Sequence, residues 1–208
     1  MAYGDFKLNK VCQTFSLTTN AITDLFSSVS EVVVGEFLRT ALERIGPLGM
    51  SIGTEKARSE FIIAPILAEA QVLSRNRVSL FSGIEFNVVP EKDLKGVCDF
   101  IFSRSSNIYE MTAPVLMVVE AKKEDISAGL GQCAAEMVAA RFFNEREATG
   151  VTTIFGAVTS GSEWRFLKLE SDVIFVDKSL YYLAQVDKIL GILLHILQDD
   201  QASQARAA

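Results

Sequence analysis

The chain has 208 residues and 49% hydrophobic content, which is enough to close one sizeable core and leaves little for a second. Its net charge of −6 and its pI near 4.9 argue against a protein that coats nucleic acid through a general excess of Lys and Arg, although a local basic groove is compatible with them. A single histidine, His195, excludes poly-histidine metal sites, and three cysteines without a Cys-x-x-Cys pair suggest neither a disulfide framework nor a thiolate zinc site.

The first predicted element in chain order is helical. After an irregular start, apolar residues recur at near-helical spacing from Asn20 to Ile45, which predicts one long helix or two short ones ending at Gly46-Pro47. The apolar stripe of this segment needs cover, and two alternatives stay open: packing in cis across the sheet, or a homodimer interface. A second helix is predicted from Thr54, a suitable N-cap, to Ser74, with a kink at Pro65.

The pattern changes to strands from Val78 onward, where alternation appears together with β-branched and aromatic residues. Strands are predicted at 78–88, 97–103, 115–121, 151–159, 164–169 and 173–176, and helices at 127–147 and 180–197. This order predicts an α/β fold with a mixed central sheet flanked by helices. No segment reaches the roughly 18 uninterrupted apolar residues of a membrane span and the start lacks the pattern of a secretory signal, so we expect a cytoplasmic protein with no membrane partner.

Charged residues interrupt two of these predicted strands. Residues 115–119 form a continuous apolar run, typical of a central strand buried on both faces, and lead directly into Glu120-Ala121-Lys122. Alternation along a strand places Glu120 and Lys122 on one face. Asp99 is an isolated carboxylate in the apolar strand that comes before. Packing alone does not explain charges in such places, because each unpaired buried ion costs several kcal/mol.

These residues favour a metal-dependent hydrolytic site. If the two strands are neighbours, Asp99 lies beside Glu120, and two carboxylates that close either share a proton or bind a cation. A hard divalent ion such as Mg²⁺ prefers such oxygens, and the Ala121 carbonyl would suit it as a further ligand. The ion would make bound water a better nucleophile and stabilise charge on a phosphate, while Lys122 would orient that water or bind the developing charge.

Asp99 followed by Glu120-Ala121-Lys122 at the end of an apolar strand resembles the bipartite signature of the PD-(D/E)xK nuclease superfamily. The resemblance implies hydrolysis of DNA phosphodiester bonds on a restriction-endonuclease-like fold, with Mg²⁺ (or Mn²⁺) as cofactor. It further implies that Asp99 and Glu120 bind the metal and that Lys122 positions the attacking water. One departure is Cys98, which stands where the superfamily commonly has proline, and it affects the start of the strand more than the chemistry.

Other stretches carry the same resemblance. Residues 55–67 look like the helix that opens the nuclease domain of type I restriction motor subunits, a helix that supplies an acid to the site. Glu55 fits the pattern for that acid, and Glu60 is the alternative. Gln132 matches a glutamine common in the helix after the Glu-x-Lys strand, and residues 156–166 are similar to the later hairpin.

The resemblance covers roughly residues 54–170 and implies a single nuclease-like domain over 1–208. We expect an N-terminal helical extension at 1–50, a nuclease-like core at 54–177, a C-terminal helix at 180–198 and a flexible tail at 199–208. The implied partner is DNA, with a homodimer as the alternative to packing in cis, since duplex cleavage commonly requires two active sites.

Two points on function stay open at the level of sequence. The basic side chains near the site could rim a DNA groove or could form an ordinary mixed-charge surface; they are Arg104, Lys123, Arg141, Arg146, Arg165 and Lys168. The alternative to an endonuclease is a catalytically inactive module of the same fold that acts in nucleic-acid binding or protein assembly. The acidic pI favours this alternative.

Overall fold

The computed structural model describes residues 2–75, 77–105 and 107–198. It shows a mixed α/β fold in which an eight-stranded mixed sheet is flanked by helices, so the predicted fold class is confirmed at this level. The strands are β1 Thr18–Asn20, β2 Ser79–Glu85, β3 Val97–Ser103, β4 Val115–Ala121, β5 Ile154–Thr159, β6 Glu163–Glu170, β7 Val173–Val176 and β8 Tyr181–Tyr182. The α-helices are α1 Leu8–Phe15, α2 Glu36–Arg44, α3 Gly46–Ile52, α4 Glu55–Arg58, α5 Ala64–Leu73, α6 Ile126–Arg146 and α7 Val186–Gln198.

Strand β4 lies inside the sheet, whose order is β1-β7-β6-β5-β4-β3-β2, with β8 paired to β6. It runs antiparallel to β3 and parallel to β5, and α6 forms the crossover between the two parallel strands. Every residue of β4 is buried, as the continuous apolar run predicted. Helix α6 packs on β4 and β5 with α1 against it, while α7 contacts β4 and α5.

The predicted helix from Asn20 is wrong in its first half. The chain forms β1 up to Asn20, residues 21–35 are not helical, and α2 begins only at Glu36. Main-chain groups of this stretch are instead paired with two residues at the start of α7. The side chain and carbonyl of Asp187 accept hydrogen bonds from main-chain N–H groups, and the Lys188 ammonium donates to three main-chain carbonyls. Gly46-Pro47 begins α3 rather than ending the helical segment, because proline is tolerated in a first helical turn.

The apolar stripe of this segment packs partly in cis. Phe26, Val34 and Leu38 are buried in the core. Other apolar side chains of the same segment are exposed, namely Ile22, Val33 and Phe37. The homodimer therefore stays a prediction.

The helix predicted from Thr54 to Ser74 is present but is not a regular α-helix. The Thr54 hydroxyl caps it by accepting the main-chain N–H of Ala57 at 3.1 Å, as predicted. Between α4 and α5 the chain makes a π-helical turn, Ser59–Ile63, in which the N–H of Ala64 bonds to the Ser59 carbonyl. This irregularity lies just before Pro65, the residue at which a kink was predicted.

Further boundaries differ from the sequence prediction: β2 ends at Glu85 rather than at residue 88, and β5 begins at Ile154 rather than at residue 151. The N-terminal start is not irregular: a 3₁₀ turn, Tyr3–Asp5, leads into α1. We call residues 3–7 the N-terminal strap. The last helix begins at Val186 rather than at residue 180, because Tyr181 pairs with Trp164 of β6 and extends the sheet. The predicted flexible tail, 199–208, lies outside the described residues.

No helix in the described ranges has the length and apolar character needed to cross a membrane.

Candidate active site

The predicted site lies at the carboxyl end of β4. Strands β3 and β4 pair with Phe100 opposite Val119, one residue away from Asp99 and Glu120 in their respective strands. The Asp99 Oδ2 atom accepts a hydrogen bond of 2.8 Å from the main-chain N–H of Ala121. Asp99 is thus fixed beside the end of β4, next to the residue that follows Glu120.

Glu120 is a buried carboxyl group in contact with a lysine. Its side chain is only 2% exposed, and its Oε1 lies 2.5 Å from the Lys122 Nζ. Its other oxygen, Oε2, has no hydrogen-bond partner within the described residues. Burial raises the pKa of Glu120 to about 8, and the negative charge of Asp99 adds to this rise, while the hydrogen bond and the positive charge of Lys122 oppose it.

Lys122 is held between two acceptors. Its ammonium donates to Glu120 and, at 3.2 Å, to the Oε1 of Gln132 on α6. Partial burial acts to lower the pKa of Lys122, but the hydrogen bond to Glu120 and nearby carboxylate charges outweigh it, so the pKa is raised. A Cβ at Gly129 would lie 2.6 Å from Val158 Cγ1 and 3.1 Å from the Lys122 side chain, so the glycine lets α6 lie close to β5 and to Lys122.

The first-helix acid that the structure brings to this place is Glu55. It is the first residue of α4, and its charge contributes to the raised pKa of Glu120. A pocket of about 200 Å³ lies between α4 and the strands; it is lined by Glu55, Lys56, Ser59, Ser82, Gly83, Asp99 and Ala121. Glu60 does not line this pocket and forms an ion pair of 2.7 Å with Lys56 instead.

The end of α4 is anchored to the sheet by Arg58. This buried side chain donates from Nη1 to the carbonyl of Ser160, at 2.9 Å, in the turn between β5 and β6. The π-helical turn begins at the next residue, Ser59, which lines the pocket. π-helical turns occur often at functional sites, because the extra residue changes the direction of the side chains on either side.

The described residues do not contain a full set of metal-binding side chains: in 2–75, 77–105 and 107–198, no three His, Cys, Asp or Glu groups are arranged to hold a metal ion. The predicted ligands, Asp99, Glu120 and the Ala121 carbonyl, are two carboxylates and a main-chain group. The comparisons with known proteins name no family for the chain. No family model, curated protein or solved structure matches it.

Sequence reasoning missed one member of the site, Glu136. It is fully buried on α6, and its Oε1 accepts a 3.1 Å hydrogen bond from the Nε2 of Gln132. Burial raises its pKa well above the ordinary value, with a further contribution from the charge of Glu120. The signal was present in the sequence, since Glu136 is the one charged residue in the run from Cys133 to Ala140 and follows Gln132 by one helical turn.

At least four of the basic residues expected near a DNA groove have partners within the chain, among them Arg146, which lies 3.8 Å from Glu147. Arg165 donates to main-chain carbonyls that follow β7, Arg141 donates to the Ser171 carbonyl, and Lys168 pairs with Glu170 at 3.0 Å. Lys123, next to Lys122 in the chain, is exposed. The basic groove stays a prediction.

Proposed function

We propose that this chain is a divalent-metal-dependent DNA endonuclease with Asp99, Glu120 and Lys122 at its active centre, on a sheet of the restriction-endonuclease-like type. One observation carries the proposal. A buried Glu120 carboxyl group, with one oxygen lacking a hydrogen-bond partner among the described residues, lies beside Asp99 and against an ammonium group. Burial of an incompletely paired carboxylate costs several kcal/mol, so the arrangement is explained if a cation completes it.

The donor set fits a small hard cation. Carboxylate and carbonyl oxygens are the ligands that Mg²⁺ and Mn²⁺ prefer, and Asp99, Glu120 and the Ala121 carbonyl would hold the ion. When bound, such an ion supplies positive charge to a phosphate oxygen and makes water more nucleophilic. Glu55 lines the same pocket as Asp99 and adds negative charge around it. The pocket, about 200 Å³, has Asp99 and Ala121 in its lining, whereas Glu120 and Lys122 are not among its lining residues.

Lys122 is placed to handle the attacking water or the developing charge. An ammonium has three N–H donors, and in the described part of the chain two of them have acceptors, on Glu120 and Gln132. The remaining donor can bind a water molecule or a phosphate oxygen. Because two partners fix the other directions, this donor is oriented before substrate binds, which is the condition for effective electrostatic stabilisation.

Cleavage of supercoiled DNA in the presence of Mg²⁺ or Mn²⁺ tests the proposal. We expect Lys122→Ala to lower the cleavage rate by about 100-fold, the usual loss when one oriented donor is removed. Lys123→Ala is the matched control, because it removes the same charge from the next residue, which is exposed. Equal cleavage by wild type and Lys122→Ala would exclude this mechanism.

The inactive module is the second candidate, and it is favoured by the raised pKa of Glu120 and by the lysine that occupies one of its oxygens. In that case the Glu120–Lys122 pair is a structural element and binds no cation. Calorimetry with Mn²⁺ separates the two candidates. The nuclease proposal requires a binding heat that Asp99→Asn abolishes, whereas absence of binding heat in the wild type, together with retained DNA or protein binding, supports the module.

A further inference from the structure

A chain of side-chain hydrogen bonds runs from the candidate active centre into α6. It passes from Glu120 to Lys122 at 2.5 Å, to Gln132 at 3.2 Å and to Glu136 at 3.1 Å. Glu136 is fully buried, and its Oε2 has no hydrogen-bond partner among the residues that the structure describes. The proposed mechanism uses the first three residues and gives Glu136 no role.

The hydrogen bond to Glu136 determines which way the Gln132 side-chain amide faces. An amide carries an acceptor oxygen on one side and an NH₂ donor on the other, and the two ends have similar shape. With its NH₂ donated to Glu136, Gln132 presents its oxygen to the Lys122 ammonium. The opposite orientation would place an NH₂ group against an ammonium, where two donors face one another.

We propose that Glu136 is a positioning residue, whose carboxyl oxygen holds the Gln132 amide in the orientation that accepts from Lys122. The inference rests on the proposed function for its effect on cleavage, but the orientation of the amide is a property of the metal-free protein. Glu136 touches neither substrate nor the reacting atoms, so its effect reaches the site through Gln132.

The surroundings of Glu136 support a role other than packing. The N-terminal strap covers this part of α6: a Cβ on Gly4 would lie 3.6 Å from the Gln132 Oε1, and Gly131 lies directly against Phe6 and Lys7. Glu136 itself is fully buried, and a buried carboxyl group with an unpartnered oxygen weakens the fold relative to an apolar side chain of similar length. Glu136 provides a hydrogen-bond acceptor for Gln132, which a methionine at this position could not provide.

Two substitutions at Glu136 distinguish the effect of its hydrogen-bond acceptor from the effect of its side-chain volume. Glu136→Gln keeps an acceptor oxygen at the same reach, and Glu136→Met keeps the length but removes the acceptor. We expect Glu136→Gln to cleave supercoiled DNA within about threefold of wild type and Glu136→Met to cleave about 10- to 100-fold more slowly, the range usual for groups that orient residues of a metal centre. The Glu136→Met protein should melt at an equal or higher temperature, which a purely structural role would not produce.

The amide of Gln132 gives a readout that does not depend on cleavage. In NMR spectra of the metal-free protein its side-chain NH₂ signals are identified by their loss in Gln132→Met. We expect them to be shifted and slow to exchange in wild type and Glu136→Gln, and to exchange rapidly in Glu136→Met. Glu145→Met, an exposed change on the same helix, is the control and should leave them unchanged.

The outcomes distinguish this inference from the proposed function. Unchanged Gln132 signals in Glu136→Met overturn the positioning role, whether or not the wild type cleaves DNA. Equal loss of cleavage in Glu136→Gln and Glu136→Met also overturns it. If Glu136→Met does not fold, the inference is overturned when Glu136→Gln fails to keep the Gln132 signals. An inactive wild type whose amide signals behave as expected rejects the nuclease and leaves the positioning role in place.

Discussion

Replacement of Glu120 by glutamine should remove a large part of the pH dependence of folding stability. Burial raises the pKa of Glu120 in the folded chain from 4.5 to about 8. A carboxyl group with a raised pKa binds its proton more tightly in the folded state than in the unfolded state. Its contribution to stability is therefore complete below about pH 4.5 and is lost as the pH rises towards 8.

The expected loss is large enough to measure by chemical denaturation. At about 1.4 kcal/mol per pH unit, a rise in pKa from 4.5 to about 8 corresponds to about 5 kcal/mol in the free energy of unfolding. Lys122 does not contribute in this range, because its pKa is raised from 10.5 and it stays charged throughout. Glu136 acts in the same direction as Glu120, so the wild type must be compared with a variant rather than with a calculated curve.

Urea denaturation between pH 4.5 and pH 8, with a chelator present, tests this reasoning. The chelator is needed because a bound cation would favour ionised Glu120 and hide the effect. We expect wild type to lose stability relative to Glu120→Gln as the pH rises, since the amide does not titrate but keeps an acceptor for Lys122. Parallel loss of stability in the two proteins would refute the argument that burial controls this carboxyl group.

Two further predictions concern Asp99 and the contact between α6 and the N-terminal strap. Asp99→Asn removes a negative charge that raises the pKa of Glu120, so the decline in stability should be smaller and should end at a lower pH, as read from the same urea series; an unchanged curve would contradict it. Gly131→Ala should destabilise the chain by about 1–3 kcal/mol, because a Cβ there would lie 2.2 Å from the Phe6 carbonyl oxygen. Gly46→Ala is the control in the same denaturation assay, since nothing lies within 4 Å of its Cβ position, and equal effects of the two substitutions would contradict the prediction.

The central strands were predictable because their patterns depend on local sequence. The predicted ends of β3 and β4 agree with the structure, since both are short apolar stretches rich in β-branched and aromatic residues, and the run in β4 has the length typical of a strand buried on both faces. The N-terminal segment was not predictable in the same way. Its main-chain groups bond to Asp187 and Lys188, more than 150 positions later, and no local pattern contains that information.

The parts of the candidate site whose positions follow from strand pairing could be predicted from the sequence. The parts whose positions depend on how a helix packs on the sheet could not. The juxtaposition of Asp99 with the end of β4 follows from the pairing of neighbouring strands. The choice between Glu55 and Glu60 depends on how α4 meets the sheet, which Arg58 and the π-helical turn determine. Glu136 was not predicted because its burial depends on how α6 packs on the sheet, and strand geometry contains no information on that packing.

The N-terminal strap can influence the ionisation of Glu136, the buried carboxyl group next to the candidate active centre. It is tied to the edge of the sheet just after β2, since the Tyr3 hydroxyl donates to the Phe86 carbonyl, and at Gly4 it lies close to the amide of the partly buried Gln132. A substitution in the strap would admit water there and ease ionisation of Glu136 without altering any acid or base. The N-terminal strap can thus change the pKa of Glu136 without any change in the residues on β3 and β4.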